Sequence, residues 1–235
     1  MRQMTADDLR ALFTALAATF AAQQAELGRL DAAVGDGDHG VGMARGFAAA
    51  RDAVAASDKS SDALSGGFPD TSSEDVGVLL QVAGRAFMSA AGGDSGPLFA
   101  TIFLELGKVA VGDERLEPHH LAEGVSAAVV IIARLGRAAP GDKTMLDALE
   151  PAAAALRQPV EAGGTLTAVL ERAADAARGG AEATTAMTAR KGRARFVEGA
   201  GAGHPDPGAV SVALIFETWF AICSTSRPAG REEAS

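Results

Sequence analysis

Leu30-Asp-Ala-Ala-Val-Gly-Asp-Gly-Asp-His-Gly40 is the stretch on which the fold turns, because it admits two incompatible readings. Gly35 to Gly40 matches the G-x-G-x-x-G pattern of a dinucleotide-binding loop, which would follow a strand and make the chain α/β. That reading also sets two aspartates against a pyrophosphate. The preceding residues decide against it. Leu9, Leu12, Phe13, Leu16, Phe20 and Leu27 recur at helical spacing, and Thr5 with Asp7 and Asp8 opens that helix. The stretch therefore joins two helices, the second running from about Gly40 to Ala56.

Working outward, the helical period continues. Helices are expected at roughly 74–91, 96–111, 118–136 and 143–157, from near Thr165, and from about Pro207 to Cys223. Pro97 and Pro118 sit where a first helical turn tolerates proline. Val129 to Ile132 is β-branched, but it lies inside a helix-length segment, and no stretch alternates as a strand does. About eight helices joined by short glycine-rich loops predict an all-α, antiparallel up-and-down assembly. A single domain is expected over 1–225. Ser57 to Asp75 reads as a mobile inserted loop, and Ser226 to Ser235 as a flexible tail.

Composition narrows the function. A net charge of −9 and a pI near 4.9 argue against binding long nucleic acid through a basic surface. The one cysteine, Cys223, rules out an internal disulfide framework and suits a reducing compartment. The N-terminus lacks the apolar core of a signal peptide, and the strongest apolar run, Val125 to Ala133, is too short to span a bilayer. A soluble cytoplasmic protein with neither nucleic acid nor membrane as partner is expected.

Asp31, Asp36 and Asp38 would repel one another unless a hard cation neutralised them, and Mg²⁺ takes oxygen ligands and shares its positions with phosphates. An EF-hand does not fit, because the twelfth position from Asp36 is Phe47 where a bidentate Glu is needed. Gly136-Arg-Ala-Ala-Pro-Gly-Asp-Lys-Thr144 is one inserted residue away from a P-loop, but a helix rather than a strand precedes it. Asp142 or Thr144 is expected to cap the next helix, whose start can also wall a nucleotide pocket. Thr188-Ala-Arg-Lys-Gly-Arg-Ala-Arg195 is the densest basic run, and it leads into the rigid turn Gly203-His-Pro-Asp-Pro-Gly208. An arginine there can clamp phosphate. In Gly92-Gly-Asp-Ser-Gly-Pro97, Ser95 is a helix N-cap candidate whose neighbouring N–H groups can face an anion. His119 and His120 are expected to be exposed, and Phe216, Trp219 and Phe220 to be core.

Taken in order, Leu30-Asp31, Gly35–Gly40, Gly92–Phe99, Pro140–Asp147, Ala189–Ala194 and Gly203–Ala209 resemble the nucleotide-binding L subunit of dihydroxyacetone kinase, over Leu30 to about Phe216. The resemblance implies an eight-helix antiparallel barrel with the nucleotide at one end. It implies that Asp31, Asp36 and Asp38 hold two Mg²⁺ bridging the phosphates of ADP or ATP. His39, Gly40, Val41, Gly42 and Ser95 would touch phosphate or nucleoside, and Gly136 and Met145 would border the adenine. Arg193 would be the catalytic cation, and Asp206, Pro207 and Gly208 would close the pocket. Asp94 departs from the small or neutral residue usual at its place, and should tune the nucleotide site.

The implied role is delivery of a phosphoryl group to a short ketose on a separate K-type subunit, for which this chain is too short. A phosphohistidine relay protein would recharge bound ADP in place, and a homodimer is expected. The alternatives are an ATP-dependent split ketose kinase, the nucleotide domain of a fatty-acid kinase, and a non-catalytic ADP-binding regulator.

Overall fold

Side-chain caps set some of the helix starts that the periodicity predicts. The computed structural model describes residues 3–33, 35–57, 74–158, 165–196 and 198–225. Thr5 opens α1 (Ala6–Ala32) with a capping box: its hydroxyl accepts from the Asp8 N–H (3.3 Å), and the Asp8 carboxylate accepts from the Thr5 N–H (2.9 Å). The next helix, α2 (His39–Ala56), leads to α3 (Val76–Ala91), which Asp75 caps through the Val78 N–H. After α4 (Ser95–Val109) comes α5 (Pro118–Gly136), opened by proline at its first turn. The chain continues through α6 (Leu146–Leu156) and α7 (Leu166–Ala183), whose cap is Thr165, to α8 (Pro207–Thr225). Three 3₁₀ turns, Thr184–Ala186, Arg193–Phe196 and Glu198–Gly201, lie between α7 and α8. Among the described residues there is no strand, only the isolated bridge between Met4 and Leu116.

Each helix packs against the next, and α8 returns to α1, closing an all-α ring. Aromatic rings fill part of its interior. Phe47 stacks on Phe20 at 4.4 Å and meets Phe87 edge-on at 4.8 Å, and Phe103 bridges to Phe13 at 5.2 Å. Phe216 and Trp219 are fully buried on α8, and the Trp219 indole N–H donates to the Met4 sulfur at 2.9 Å. This helix, rather than 125–133, is long and apolar enough to cross a membrane, with a mean hydropathy of 1.5. Here it packs into the core against α1, α6 and α7.

Antiparallel succession has a consequence for function. Even-numbered helices start, and odd-numbered helices end, at the same pole of the ring. That pole gathers the glycine-rich segments singled out in the sequence.

Three expectations need correction. His120 is buried, not exposed: its Nδ1 accepts from the Glu117 N–H (3.0 Å) and its Nε2 lies 3.1 Å from Asp113 Oδ2, so the turn before α5 folds around it. The sixth helix starts at Leu146 rather than 143, because the Asp147 carboxylate draws in the N–H groups of Gly141 (2.5 Å) and Thr144 (2.7 Å). Asp142 instead accepts from the Ala139 N–H, and Thr144 Oγ1 from the Leu146 N–H. Most of the expected 57–75 loop (58–73) and the expected tail at 226–235 lie outside the described residues.

The first two helices touch at Gly40, where a Cβ would sit 2.1 Å from the Gln24 carbonyl oxygen and 2.8 Å from the Gly28 nitrogen. Both obstacles are backbone, so they yield only if the helices part. Gly40→Ala is expected to destabilise the fold by about 1–3 kcal/mol, the usual cost of overpacking, read as a lower midpoint in urea unfolding. An unchanged midpoint would mean that the contact is slack.

Candidate functional site

The shared pole opens into a cavity of ≈ 730 Å³. Around it stand the starts of α2, α4, α6 and α8, the ends of α1, α3 and α5, and the segment Lys191–Ala194. The first turns of α2 and α4 have no hydrogen bond from their N-cap side chain. Their backbone donors and the positive ends of their dipoles therefore converge on one space, which favours an anion there.

At one side of this space lie the three carboxylates. Asp31 ends α1, Asp36 is in the connecting loop, and Asp38 is the N-cap of α2. One oxygen from each lies within 4.8 Å of the others. Gly35 makes this packing feasible, because a Cβ there would approach Asp31 Oδ1 to 2.6 Å. Gly37 supplies the positive φ of 78° that turns the loop back. The His39 N–H, at the start of α2, donates to Asp31 Oδ2 at 3.2 Å. An all-oxygen donor set of this spacing and charge fits a small hard cation, since oxygens across Mg²⁺ are about 4.2 Å apart. Arg193 reaches over from the 3₁₀ turn to pair with Asp36, and both side chains are about half exposed.

His39 lies behind the carboxylates and is nearly buried. Its Nδ1 is 3.3 Å from Ser95 Oγ and its Nε2 is 2.8 Å from Ser211 Oγ. Burial pushes its pKa down, against the opposing pull of Asp31. The imidazole thus ties the start of α2 to α4 and α8. Ser95 is the first residue of α4 rather than its cap; Asp94 holds the cap position without a side-chain bond.

Asp31, Asp36, Asp38, His39, Val41, Gly42, Asp94, Ser95, Gly136, Met145, Arg193, Asp206, Pro207 and Gly208 all line the cavity. Gly40 does not; its place is the α1–α2 contact. Apolar side chains also line the cavity, among them Leu98, Phe99, Ile132, Leu135, Ala138, Met145 and Leu146. A flat apolar group fits against these and an anionic one fits the helix starts.

Two cationic side chains escaped the sequence reading of the site. Arg45 donates to the carbonyls of Ala90 and Ala91, holding the end of α3 beside Gly92. Its signal was present, since residues 41, 42 and 45 share one helical face. Lys143 turns inward with a left-handed φ of 61°, is 2% exposed, and donates to the carbonyls of Thr184 and His204, both at 2.5 Å. Local sequence holds no signal for those partners.

Comparison with known proteins bears on this arrangement. Residues 33–221 match the DAK2 domain. An L-erythrulose kinase of Pectobacterium atrosepticum is 38% identical over 200 residues, covering 85% of this chain and 32% of that protein. The ADP-binding subunit DhaL of the PEP-dependent dihydroxyacetone kinase of Escherichia coli is 33% identical, covering 84% of this chain and 88% of that subunit. The crystal structure of the dihydroxyacetone kinase from C. freundii in complex with AMP-PNP and Mg²⁺ superposes with a TM-score of 0.64 at 26% identity, over 89% of this chain and 32% of that one. The chain thus spans about a third of the length of the first of these relatives.

Asp206 completes the cavity wall before α8. Its Oδ2 accepts from the Ala209 N–H at 2.7 Å, and its own N–H donates to Thr184 Oγ1 at 2.8 Å. Desolvation pushes its pKa up from 3.8 to about 7, outweighing the Ala209 hydrogen bond and the nearby Lys143 charge. A raised carboxyl pKa means that the native state keeps a proton the unfolded chain loses. This contribution to stability is therefore full below pH 3.8 and is lost as pH rises to about 7. Asp206→Asn keeps a capping oxygen but cannot ionise. Its stability relative to wild type, measured by urea unfolding, is expected to improve across that window and level off above it. A difference that does not change with pH would contradict this assignment.

Proposed function

The chain belongs to the DAK2-domain family, and from that premise we propose that it is the nucleotide-binding, phosphoryl-delivering subunit of a short-ketose kinase. The observation that carries the proposal is the juxtaposition of three carboxylates, the uncapped starts of α2 and α4, and Arg193 around one cavity. In this reading Asp31, Asp36 and Asp38 hold two Mg²⁺. The bound metal supplies positive charge that neutralises both the carboxylates and the polyphosphate. The starts of α2 and α4 orient the phosphates, and Gly136, Met145 and the apolar lining take the adenine. Asp94 adds a negative charge near that site and tunes affinity rather than building the site.

Phosphoryl transfer demands positioning and charge neutralisation more than covalent help. The bond from the terminal phosphorus to its bridging oxygen breaks as a ketose hydroxyl attacks, and ADP stays behind. Arg193 exchanges its contact with Asp36 for the oxygens of the moving group, where charge develops. No nucleophile on this chain is required. The ketose is held by a K-type partner subunit, and a phosphohistidine relay protein recharges the ADP; the PEP-dependent relatives support that donor. The erythrulose kinases among the relatives extend the acceptors to four-carbon ketoses. The intact carboxylate cluster favours catalysis over a purely regulatory role. A buried Cys223, whose thiol is pushed up to about 12 by burial, suits a cytoplasmic setting.

The test is transfer to dihydroxyacetone or erythrulose in the presence of a K-type subunit, with the donor supplied either as a charged relay protein or as free ATP. The relay protein is expected to sustain turnover and free ATP to support little. Rapid turnover on ATP alone would make this an ATP-dependent split kinase instead. Arg193→Ala is expected to lower the transfer rate about tenfold to a thousandfold, with a smaller change in ADP affinity. A wild-type rate in that variant, or no ketose phosphate with any donor, would sink the proposal.

A further inference from the structure

Between α7 and α8 the chain makes a long excursion, 184–206, that carries Arg193 to the cavity. Its two feet are fastened together. The Gly203 N–H donates to the Thr185 carbonyl at 2.9 Å, and the Asp206 N–H donates to Thr184 Oγ1 at 2.8 Å. Midway, the Arg190 N–H donates to the Asp142 carbonyl at 3.1 Å. Lys143, the neighbour of Asp142, inserts its ammonium between the feet and donates to both the Thr184 and the His204 carbonyls. One short segment of the α5–α6 loop therefore grips the excursion at its base and along its length.

We propose that Lys143 is a positioning residue that, through the 184–206 excursion, holds Arg193 over the Asp36 carboxylate. Burying an ammonium to 2% exposure is unfavourable unless charge-assisted hydrogen bonds offset it. The left-handed backbone at Lys143 adds further strain, since it is not a glycine. Both costs are borne to place this amine between the Thr184 carbonyl, which also accepts from the Met187 N–H, and the His204 carbonyl, so that it ties the two feet together. Burial pushes the Lys143 pKa down, and the nearby Asp206 and Asp147 oppose that shift. The residue that a P-loop reading would send to phosphate is thus turned away from it, toward the segment that carries the phosphate-seeking arginine. Arg193 then serves as counter-charge to the carboxylates until a cation takes its place.

The proposal rests on the metal site of the proposed function but not on any ketose or partner, so it can be tested with metal alone. Mn²⁺ binding to the nucleotide-free protein, followed by electron paramagnetic resonance, reports competition between Arg193 and the cation for Asp36. Lys143→Met removes both donors at nearly constant length. It is expected to tighten Mn²⁺ binding about twofold to fivefold, the size of a solvent-exposed ion pair. In an Arg193→Ala background the same change should alter binding less than twofold, because the effect acts through Arg193. Hydrogen exchange is expected to quicken in peptides of 184–206 and to stay unchanged in α1 to α4. Lys143→Gln, which keeps one donor, should fall between wild type and Lys143→Met, and serves if the latter loses helical circular dichroism. A purely structural lysine would quicken exchange yet leave Mn²⁺ affinity unchanged, and that result overturns the proposal. Equal effects with and without Arg193 also overturn it. A wild-type chain that binds no Mn²⁺ overturns the metal site itself and this role with it, whereas failure of ketose transfer alone touches only the kinase reading.

Discussion

Mutual repulsion among Asp31, Asp36 and Asp38 is the constraint that organises the functional pole. At an effective dielectric near 20, unit charges within 4.8 Å repel by about 3.5 kcal/mol or more per pair. One half-exposed ion pair such as Arg193–Asp36 returns about 1 kcal/mol at most. Arg193 therefore moderates the cluster without balancing it. Asp31 stands at the unfavourable negative end of α1, where the His39 N–H answers it. Asp38 sits at the favourable start of α2. Gly35 and Gly37 draw the group tight, and a cation with the anion it brings would relieve the repulsion, as the proposed function requires.

An antiparallel helical ring suits that chemistry for a simple reason. Alternating direction brings half of the helix starts and half of the helix ends to each pole. Starts offer N–H donors to phosphate, while ends carry carboxylates such as Asp31 and carbonyls such as those of Ala90 and Ala91. His39 joins three of these elements through two hydroxyls, and its burial disfavours a further charge at an already crowded site. The rest of the ring, with its aromatic interior and the apolar α8, serves to hold these ends in register.

The fold was legible because its signals are local. Thr5 with Asp8, Asp75, Pro118 and Thr165 each mark a helix start within three or four residues of sequence, and leucine and phenylalanine spacing carries the helices between them. Most of the residues that line the cavity were legible too, since glycine-rich motifs name their own turns. What escaped depends on distant partners. Gly40 looks like part of a phosphate loop until α1 is packed against it at Gln24. Lys143 looks like a P-loop lysine until Thr184 and His204, more than forty residues onward, are seen to receive it. His120 looks like an exposed residue of a helix start until the turn carrying Asp113 folds over its ring. The later start of α6 follows from Asp147, a cap acting from inside the first turn rather than from the residue before it.

The central claim is that a cation must sit between these carboxylates and a nucleotide. Calorimetric titration of ADP into the wild-type protein, with free Mg²⁺ varied from excess to none by EDTA, tests it most directly. The account predicts tight binding that weakens steeply as Mg²⁺ is withdrawn, with metal uptake accompanying the nucleotide. Equal ADP affinity in excess EDTA would contradict it.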